Sequence, residues 1–402
     1  MIRAGECFCH HCGKTRSEAF YKTGDRAGGV WLRHKGHRYE LEYDDFKKET
    51  REANKNRNPH DIVELSMDFP ADCDGAPQEI RVRFKGEKSD VIMERACPVC
   101  AEGTELSEPT NRPLFMNLGK HPLYVIAMVG NRSTGKSTFL KALAYPTNIA
   151  AVDRAGYPFR LQFRTLTGKD DSESKATEAK DRGHTKFLEV CKDRDVIAHV
   201  LLLDLSGELY ESKIELVWQL IGKNTSHGGA DAFIFVEPAP MDGAKSQNKK
   251  NFDSLNILQS GHARGEFDEK PIAFVYTHLD ELLEQNQVRT ISGNYPGDEI
   301  PLLTEHSFAD NADRKRYAPE KLIPRIALEN FVARSYSPSV LEMNRGENAK
   351  GFLVQSCKPY EVPAEDGSSE RDDDFGQTLN VMDPLLWTLN KLGIFPLMPM
   401  EE

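Results

Sequence analysis

Nowhere in the sequence does an apolar run approach the ~18–20 residues needed to cross a bilayer. Residues 1–14 carry cysteines and histidines where a secretory leader has its apolar core, so the expectation is a cytoplasmic protein with no membrane span. Cysteine is scarce. Eight in 402 residues are too few for a disulfide scaffold, and they cluster in short pairs, the pattern of metal ligands in a reducing compartment. Positive charge is in deficit: 52 Lys+Arg against 63 Asp+Glu leave a net charge of −11, which argues against nucleic acid and anionic membrane as broad electrostatic partners. What is present is a soluble composition, 39% hydrophobic and 29% charged, with a polar surplus that implies exposed loops or insertions.

Three regions separate by pattern. Residues 1–103 begin and end with a cysteine pair and contain period-two segments, Arg38-Tyr39-Glu40-Leu41-Glu42-Tyr43 and Glu79-Ile80-Arg81-Val82-Arg83-Phe84, that read as half-exposed strands. Residues 104–113 are polar with two prolines and read as a linker. From 114 to 402, apolar strands at 123–129, 199–203, 232–236, 272–276 and 352–354 alternate with helical segments at 136–144 and 213–221. That alternation predicts an α/β domain, a mostly parallel sheet covered by helices on both faces; the octet Gly130–Ser137 makes it of the P-loop NTPase kind, and the pairs Cys9/Cys12 and Cys97/Cys100 make the β-rich first region a small zinc-ribbon-like module. Two insertions are expected, at about 281–350 with a helix over 319–333, and at 359–378, where the acidic stretch 365–376 reads as a mobile loop. A closing helix over 381–392 is expected to pack on the sheet.

One octet carries the most chemistry. Gly130-Asn131-Arg132-Ser133-Thr134-Gly135-Lys136-Ser137 matches G-x-x-x-x-G-K-[ST] in full, between an apolar strand and a helix. The glycines let the backbone curl so that successive N–H groups face a phosphate, and the helix adds its positive end. Lys136 is placed to reach the β- and γ-phosphates; the Ser137 hydroxyl is a Mg²⁺ ligand, with Thr138 beside it. Downstream, the apolar strand His199-Val200-Leu201-Leu202-Leu203 ends in Asp204, a second Mg²⁺ ligand, and Gly207 offers its N–H to the γ-phosphate.

The cysteine pairs are Cys9-His10-His11-Cys12 and Cys97-Pro98-Val99-Cys100. Two C-x-x-C knuckles supply four thiolates for a closed tetrahedral site, which selects Zn²⁺ and assigns it a structural role. The long interval between them must be an inserted subdomain. Cys7, His10 and His11 are spare ligands, Cys73 reads as a loop bystander and Cys191 as a core residue.

The order of these motifs, followed by Thr277-His278-Leu279-Asp280 and Ser356-Cys357-Lys358 at strand ends, resembles the translation-factor-related (Ras-like, TRAFAC-class) GTPases over roughly residues 114–398. The resemblance implies that Asp280 hydrogen-bonds guanine within an [NT]-K-x-D motif, with His278 standing where the family has lysine. It implies that Ser356, Cys357 and Lys358 match the S-A-K motif that also contacts the base, and that the ligands are GTP or GDP with Mg²⁺. The switch threonine would lie between the P-loop helix and Asp204. Thr185 is nearest the family spacing and would touch Mg²⁺, while Thr177 and Thr167 stay open. Glu208 occupies the position where a glutamine often orients the attacking water, so slow turnover is expected; Arg132 or Arg182 would supply positive charge. The chain looks most like the large bacterial double-GTPases of conflict and defence loci, some of which carry zinc-binding modules. The pointers are Asp204-Leu205-Ser206-Gly207-Glu208 and Asp383-Pro384-Leu385-Leu386-Trp387. Such a protein would be a switch acting on a partner protein. Two alternatives stand beside it, an ATPase on the same scaffold, motivated by His278, and a nucleotide-binding scaffold that hardly hydrolyses, motivated by Glu208.

Overall fold

Period-two alternation between the cysteine pairs becomes strand, and apolar runs after residue 114 become the buried strands of a second sheet. The computed structural model describes residues 1–4, 6–10, 12–16, 19–23, 30–35, 38–43, 62–68, 79–84, 86, 88, 90–97, 114, 120–130, 134–154, 158–164, 185–204, 214–225, 228–238, 252–277, 348–356, 358–363, 369–374, 378 and 381–396. Two units result. The first comprises Met1–Tyr124, Arg164–Ser174 and Trp218–Gly229, and the second Val125–Phe163, Lys175–Val217 and Ala230–Glu402. The sequence-derived boundaries at 103 and 113 fall outside the described residues.

In the first unit, β1 (Cys7–Phe8) and β2 (Thr15–Arg16) form a short hairpin. There follow β3 (Ala19–Thr23), β4 (Val30–Lys35), β5 (Arg38–Tyr43), β6 (Ile62–Asp68), β7 (Glu79–Phe84) and β8 (Val91–Ala96). These six make an antiparallel sheet in the order β5-β4-β3-β8-β7-β6. Two meanders are thus joined through β3 and β8, its first and last strands in sequence. The register aligns Leu41, Leu32 and Tyr21 on one face, together with Met67, Ile80 and Met93. Glu42, Trp31, Lys22 and Glu94 align on the other.

A larger sheet comprises β9 (Leu123–Val129), β10 (Phe159–Arg164), β11 (Lys186–Lys192), β12 (Asp195–Asp204), β13 (Ala232–Pro238), β14 (Ile272–Thr277) and β15 (Ala349–Leu353); its strands and helices fall in the second unit except for Leu123, Tyr124, Arg164 and 218–221, which are counted in the first. Its helices are α1 (Lys136–Leu143), α2 (Pro146–Arg154), α3 (Ile214–Ile221), α4 (Phe252–Ala263) and α5 (Asp383–Lys391). The seven strands form a mixed, mostly parallel sheet in the order β10-β11-β12-β9-β13-β14-β15. β9/β13, β13/β14 and β14/β15 pair in parallel, and β11/β12 form an antiparallel hairpin. The central strands lack alternation because both faces are covered: Val125 to Val129, Val200 to Leu202 and Ala232 to Ile234 are all 0% exposed. Phe233, Phe235, Phe267 and Phe274 form an aromatic seam, with Phe233 and Phe267 edge-to-face at 4.8 Å between centroids.

The helix expected over 381–392 spans Asp383–Lys391, started by a proline and an acidic residue in its first turn. Trp387 meets Phe352 of β15 edge-on at 5.8 Å, so this helix does cover the sheet. Cys191 is buried, as read. One expectation is corrected. The acidic stretch 365–376, read as a mobile loop, contributes a strand, β17 (Ser369–Asp374), antiparallel to β16 (Lys358–Pro363). The register sets Lys358 opposite Asp374 and Glu361 opposite Arg371. Opposite charges at facing positions are compatible with strand pairing, which a reading of net acidity overlooks. The helix expected over 319–333 lies outside the described residues.

Candidate functional site

The chain leaves β9 at the centre of the sheet, passes to β10–β12 on one side and then returns to β13–β15 on the other. Strand order reverses at β9, and in open α/β sheets the crevice for a ligand lies at the carboxyl ends of the strands at such a point. Gly130 follows β9 there. A Cβ on Gly130 would stand 2.6 Å from the Val236 carbonyl oxygen and 2.9 Å from the Thr134 hydroxyl, so only glycine allows the loop to leave the strand so close to β13. Gly135 has φ +81° and ψ +10°, the left-handed turn that aims the chain into α1. Its carbonyl accepts the first helical bond, from Phe139 N–H at 2.8 Å. Among the described residues no side chain caps α1, and no acidic residue lies in its first turn.

Lys136 opens α1 with its side chain buried and ion-paired to Asp204 Oδ1 at the end of β12. Burial pulls its ammonium from the usual 10.5 down to about 8. Ser137 and Thr138 are half-buried in the same turn. From β14, the Thr277 hydroxyl donates to the Thr134 carbonyl at 2.7 Å and sits 3.2 Å from the Glu237 carbonyl. One proton serves one strong bond, so the shorter contact is the tie. Thr277 thus holds the phosphate-type loop from a strand two positions away. Ser356, just past β15, buries a hydroxyl that has no hydrogen-bond partner among the described residues, the kind of group that a ligand satisfies. Thr185 immediately precedes Lys186, which pairs with Leu202; Thr185 therefore stands on the same sheet rim as Asp204.

The structure brings together Gly130, Thr134, Gly135, Lys136, Asp204 and Thr277 at one rim. Asn131, Arg132, Ser133, Gly207, Glu208, His278, Asp280 and Cys357 lie outside the described residues, as do Thr167, Thr177 and Arg182. Lys358 begins β16. Sequence reasoning missed the tie from Thr277 to Thr134. A threonine closing an apolar run signals a strand end, and nothing local to it points to a loop 143 residues upstream.

A second cluster lies in the first unit. Cys9 N–H donates to the Lys14 carbonyl at 2.9 Å, and Gly13 N–H to the Cys9 carbonyl at 2.8 Å, with Gly13 at φ +68°. This tight turn presents Cys9 and Cys12 together. Cys97 follows β8, whose Ala96 pairs with Phe20 of β3 just after the first knuckle. The strand pairing therefore returns Cys97 to the turn. The three sulfurs lie within 4.8 Å of one another, all three residues are buried, and Cys12 Sγ is 3.7 Å from Cys97 Sγ. A tetrahedron with ~2.3 Å Zn–S bonds has S···S edges of about 3.8 Å, so these thiols fit a thiolate-bound metal. Cys100 is outside the described residues, and His10 is buried but not one of the three.

No protein-family model matches the chain, and no curated protein matches it. Among solved structures it is similar to the cytosolic domain of the T. maritima FeoB iron transporter in apo form, at 17% identity over 42% of this chain and 54% of that one, with a TM-score of 0.21. It is also similar to Sup35 complexed with GMPPNP, at 13% identity over 59% of this chain and 38% of that one, with a TM-score of 0.25. The chain thus spans about half the length of the first structure and less of the second. Similarity at this level shows no family for the chain. Among the described residues no helix is long and apolar enough to cross a membrane.

Proposed function

We propose that the second unit binds Mg²⁺ with a nucleoside triphosphate, GTP in preference to ATP, and hydrolyses it slowly as a conformational switch on a partner protein. The observation that carries this is the convergence of Gly130, Thr134, Gly135, Lys136, Asp204 and Thr277 at the carboxyl rim of the sheet, where strand order reverses. In this reading the loop's N–H groups, those of Asn131 to Thr134 among them, and Lys136 hold the phosphates, with Thr138 next to them. Ser137, Asp204 and Thr185 hold Mg²⁺, and Gly207 and Glu208 face the γ-phosphate and the attacking water. Thr277, His278 and Asp280, with Ser356, Cys357 and Lys358, read the base. The orphaned Ser356 hydroxyl supports a ligand there.

The domain division is 1–103, a 104–113 linker and 114–402. Cys9, Cys12, Cys97 and Cys100 hold a structural Zn²⁺ in the first part, which together with the insertions recognises the partner. The double-GTPase resemblance extends the proposal to a bacterial conflict or defence setting. Competition of GTP and ATP for a labelled guanine nucleotide tests the specificity: ATP displacing it as well as GTP does would move the chain to an ATP-binding branch. Multiple turnover that is lost in Lys136→Ala separates an enzyme from a scaffold that only binds.

A further inference from the structure

The turn that presents Cys9 and Cys12 also lies against a helix. A Cβ on Gly13 would stand 3.2 Å from Leu220 Cδ2, 3.4 Å from Leu220 Cα and 3.5 Å from the Gln219 carbonyl oxygen, so the knuckle meets the backbone of α3 at its last turn. That turn, residues 218–221, is counted in the same unit as the cysteines. A second glycine turn closes on it from the chain beyond. A Cβ on Gly229 would be 2.6 Å from the Gly222 carbonyl oxygen and 2.7 Å from that of Ile221, and Gly229 N–H donates to Thr225 Oγ1 at 2.7 Å. From this arrangement we infer that the cysteine turn is a metal-dependent seat for the end of α3: a thiolate-bound metal at Cys9, Cys12 and Cys97 fixes residues 218–221, and its loss releases them. The inference rests on the thiolate–metal reading of the cluster and adds its regulation.

The helix cannot hold its own end. At eight residues α3 is too short to persist in water by itself, and no basic residue in its last turn complements the carbonyl end. Packing holds it instead, with Trp218, Leu220 and Ile221 all buried. On the cysteine side that packing is made by backbone, at a glycine, so it depends on the path of the turn rather than on a side chain that could readjust. Two hydrogen bonds shape the path, from Cys9 N–H to the Lys14 carbonyl and from Gly13 N–H to the Cys9 carbonyl. A metal would add bonds at Cys9 and Cys12 within the turn and tie both to Cys97 at the end of β8, so its binding free energy is shared with whatever the turn supports. The coupling is reciprocal, and a seated helix end should slow the loss of metal. In the chain α3 is the first described element after Asp204, so the seat makes the far end of that stretch answer to metal supply.

Zinc, loaded into the full chain and withdrawn with a chromogenic chelator, reads both directions of the coupling. Chelation should lower the hydrogen-exchange protection of residues 218–221 by roughly tenfold or more and leave the β14 amides at their loaded level. In the zinc-loaded protein, Leu220→Ala should release zinc roughly fivefold faster than the wild type. Gln219→Ala changes an exposed side chain and keeps the carbonyl at Gly13, so it should release zinc at the wild-type rate. If Leu220→Ala does not fold, Leu220→Val removes the same Cδ2 and carries the same expectation. Protection of 218–221 unchanged by chelation, zinc release from the folded Leu220 variant at the wild-type rate, or equal acceleration by Gln219→Ala overturns the seat. A wild type that takes up no zinc overturns the metal reading itself, so the two failures are told apart.

Discussion

The second unit places a glycine hinge, a lysine and a hydroxyl within the single stretch Gly130–Ser137. The first unit gathers Cys12 and Cys97 across 85 residues of chain. At the phosphate-type loop the local backbone does the assembling, through the close approach of Gly130 to β13 and the left-handed turn at Gly135, and more distant strands add Asp204 and Thr277. At the cysteine cluster, the turn around Gly13 presents two thiols, and the third depends on β8 coming back beside β3. A site made locally can keep its shape while its surroundings change. One made by closure lasts only as long as the pairing that closes it, so metal and sheet should stabilise each other.

The largest effect expected from this contrast is on the closed site. With the proposed zinc at this cluster, chelation or Cys97→Ser should abolish zinc in the purified protein and cost much of the ~10–16 kcal/mol that structural zinc typically contributes to folding. The loss would show as weakened protection of the β3 and β8 amides in hydrogen exchange, with nucleotide affinity within about twofold of wild type. Equal protection with and without metal would break the comparison. Next in size, Lys136→Ala should weaken nucleotide binding on the order of a hundredfold, as for loss of a charged hydrogen-bond partner, while zinc content stays unchanged. Calorimetry and metal analysis on one sample check both halves.

A smaller effect is expected at the tie between β14 and the loop. Thr277→Val keeps the shape and deletes the hydroxyl, so it should cost about 1 kcal/mol of stability and up to roughly tenfold in nucleotide affinity. Thr277→Ser should restore most of both. If Val and Ser variants behave alike, the bond from Thr277 to the Thr134 carbonyl does not hold the loop. The smallest effect concerns Lys136, with its ammonium pulled down to about 8 by burial. The protonated form meets phosphates, so affinity is fully present below pH 8 and falls above it, by about fourfold between pH 7 and 8.5, with proton uptake on binding. For stability the sign is opposite: the unfolded chain holds that proton more tightly, so the burial penalty is present below pH 8 and is relieved as pH rises from about 8 toward 10.5. Calorimetry in buffers of different ionisation enthalpy reads the uptake directly.

Legibility in the sequence follows the same division. The octet, the apolar strands and the closing helix were readable because each is a local pattern, a spacing of glycines or an unbroken run of Val, Leu, Ile and Phe. The strands Arg38–Tyr43 and Glu79–Phe84 matched their period-two alternation to the residue. The cysteine knuckles were readable as motifs. That six strands would fold into one sheet whose first and last members are neighbours was not, because strand order is a property of pairing rather than of any segment. The tie from Thr277 and the Lys136–Asp204 pair were hidden for a related reason, since each joins two distant strand ends. The β16–β17 hairpin was missed because net acidity outweighed facing charges in the reading of residues 365–376.

The central claim is that this rim holds a guanine nucleotide with Mg²⁺. Calorimetry of GTP, GDP and ATP in the presence of Mg²⁺, on wild type and on Asp280→Ala, tests it most directly. Micromolar or tighter binding of GTP and GDP is expected, with weaker binding of ATP and loss of guanine binding in Asp280→Ala. ATP bound as well as GTP, with Asp280→Ala unchanged, would contradict it and return residues 277–280 to an ordinary strand end.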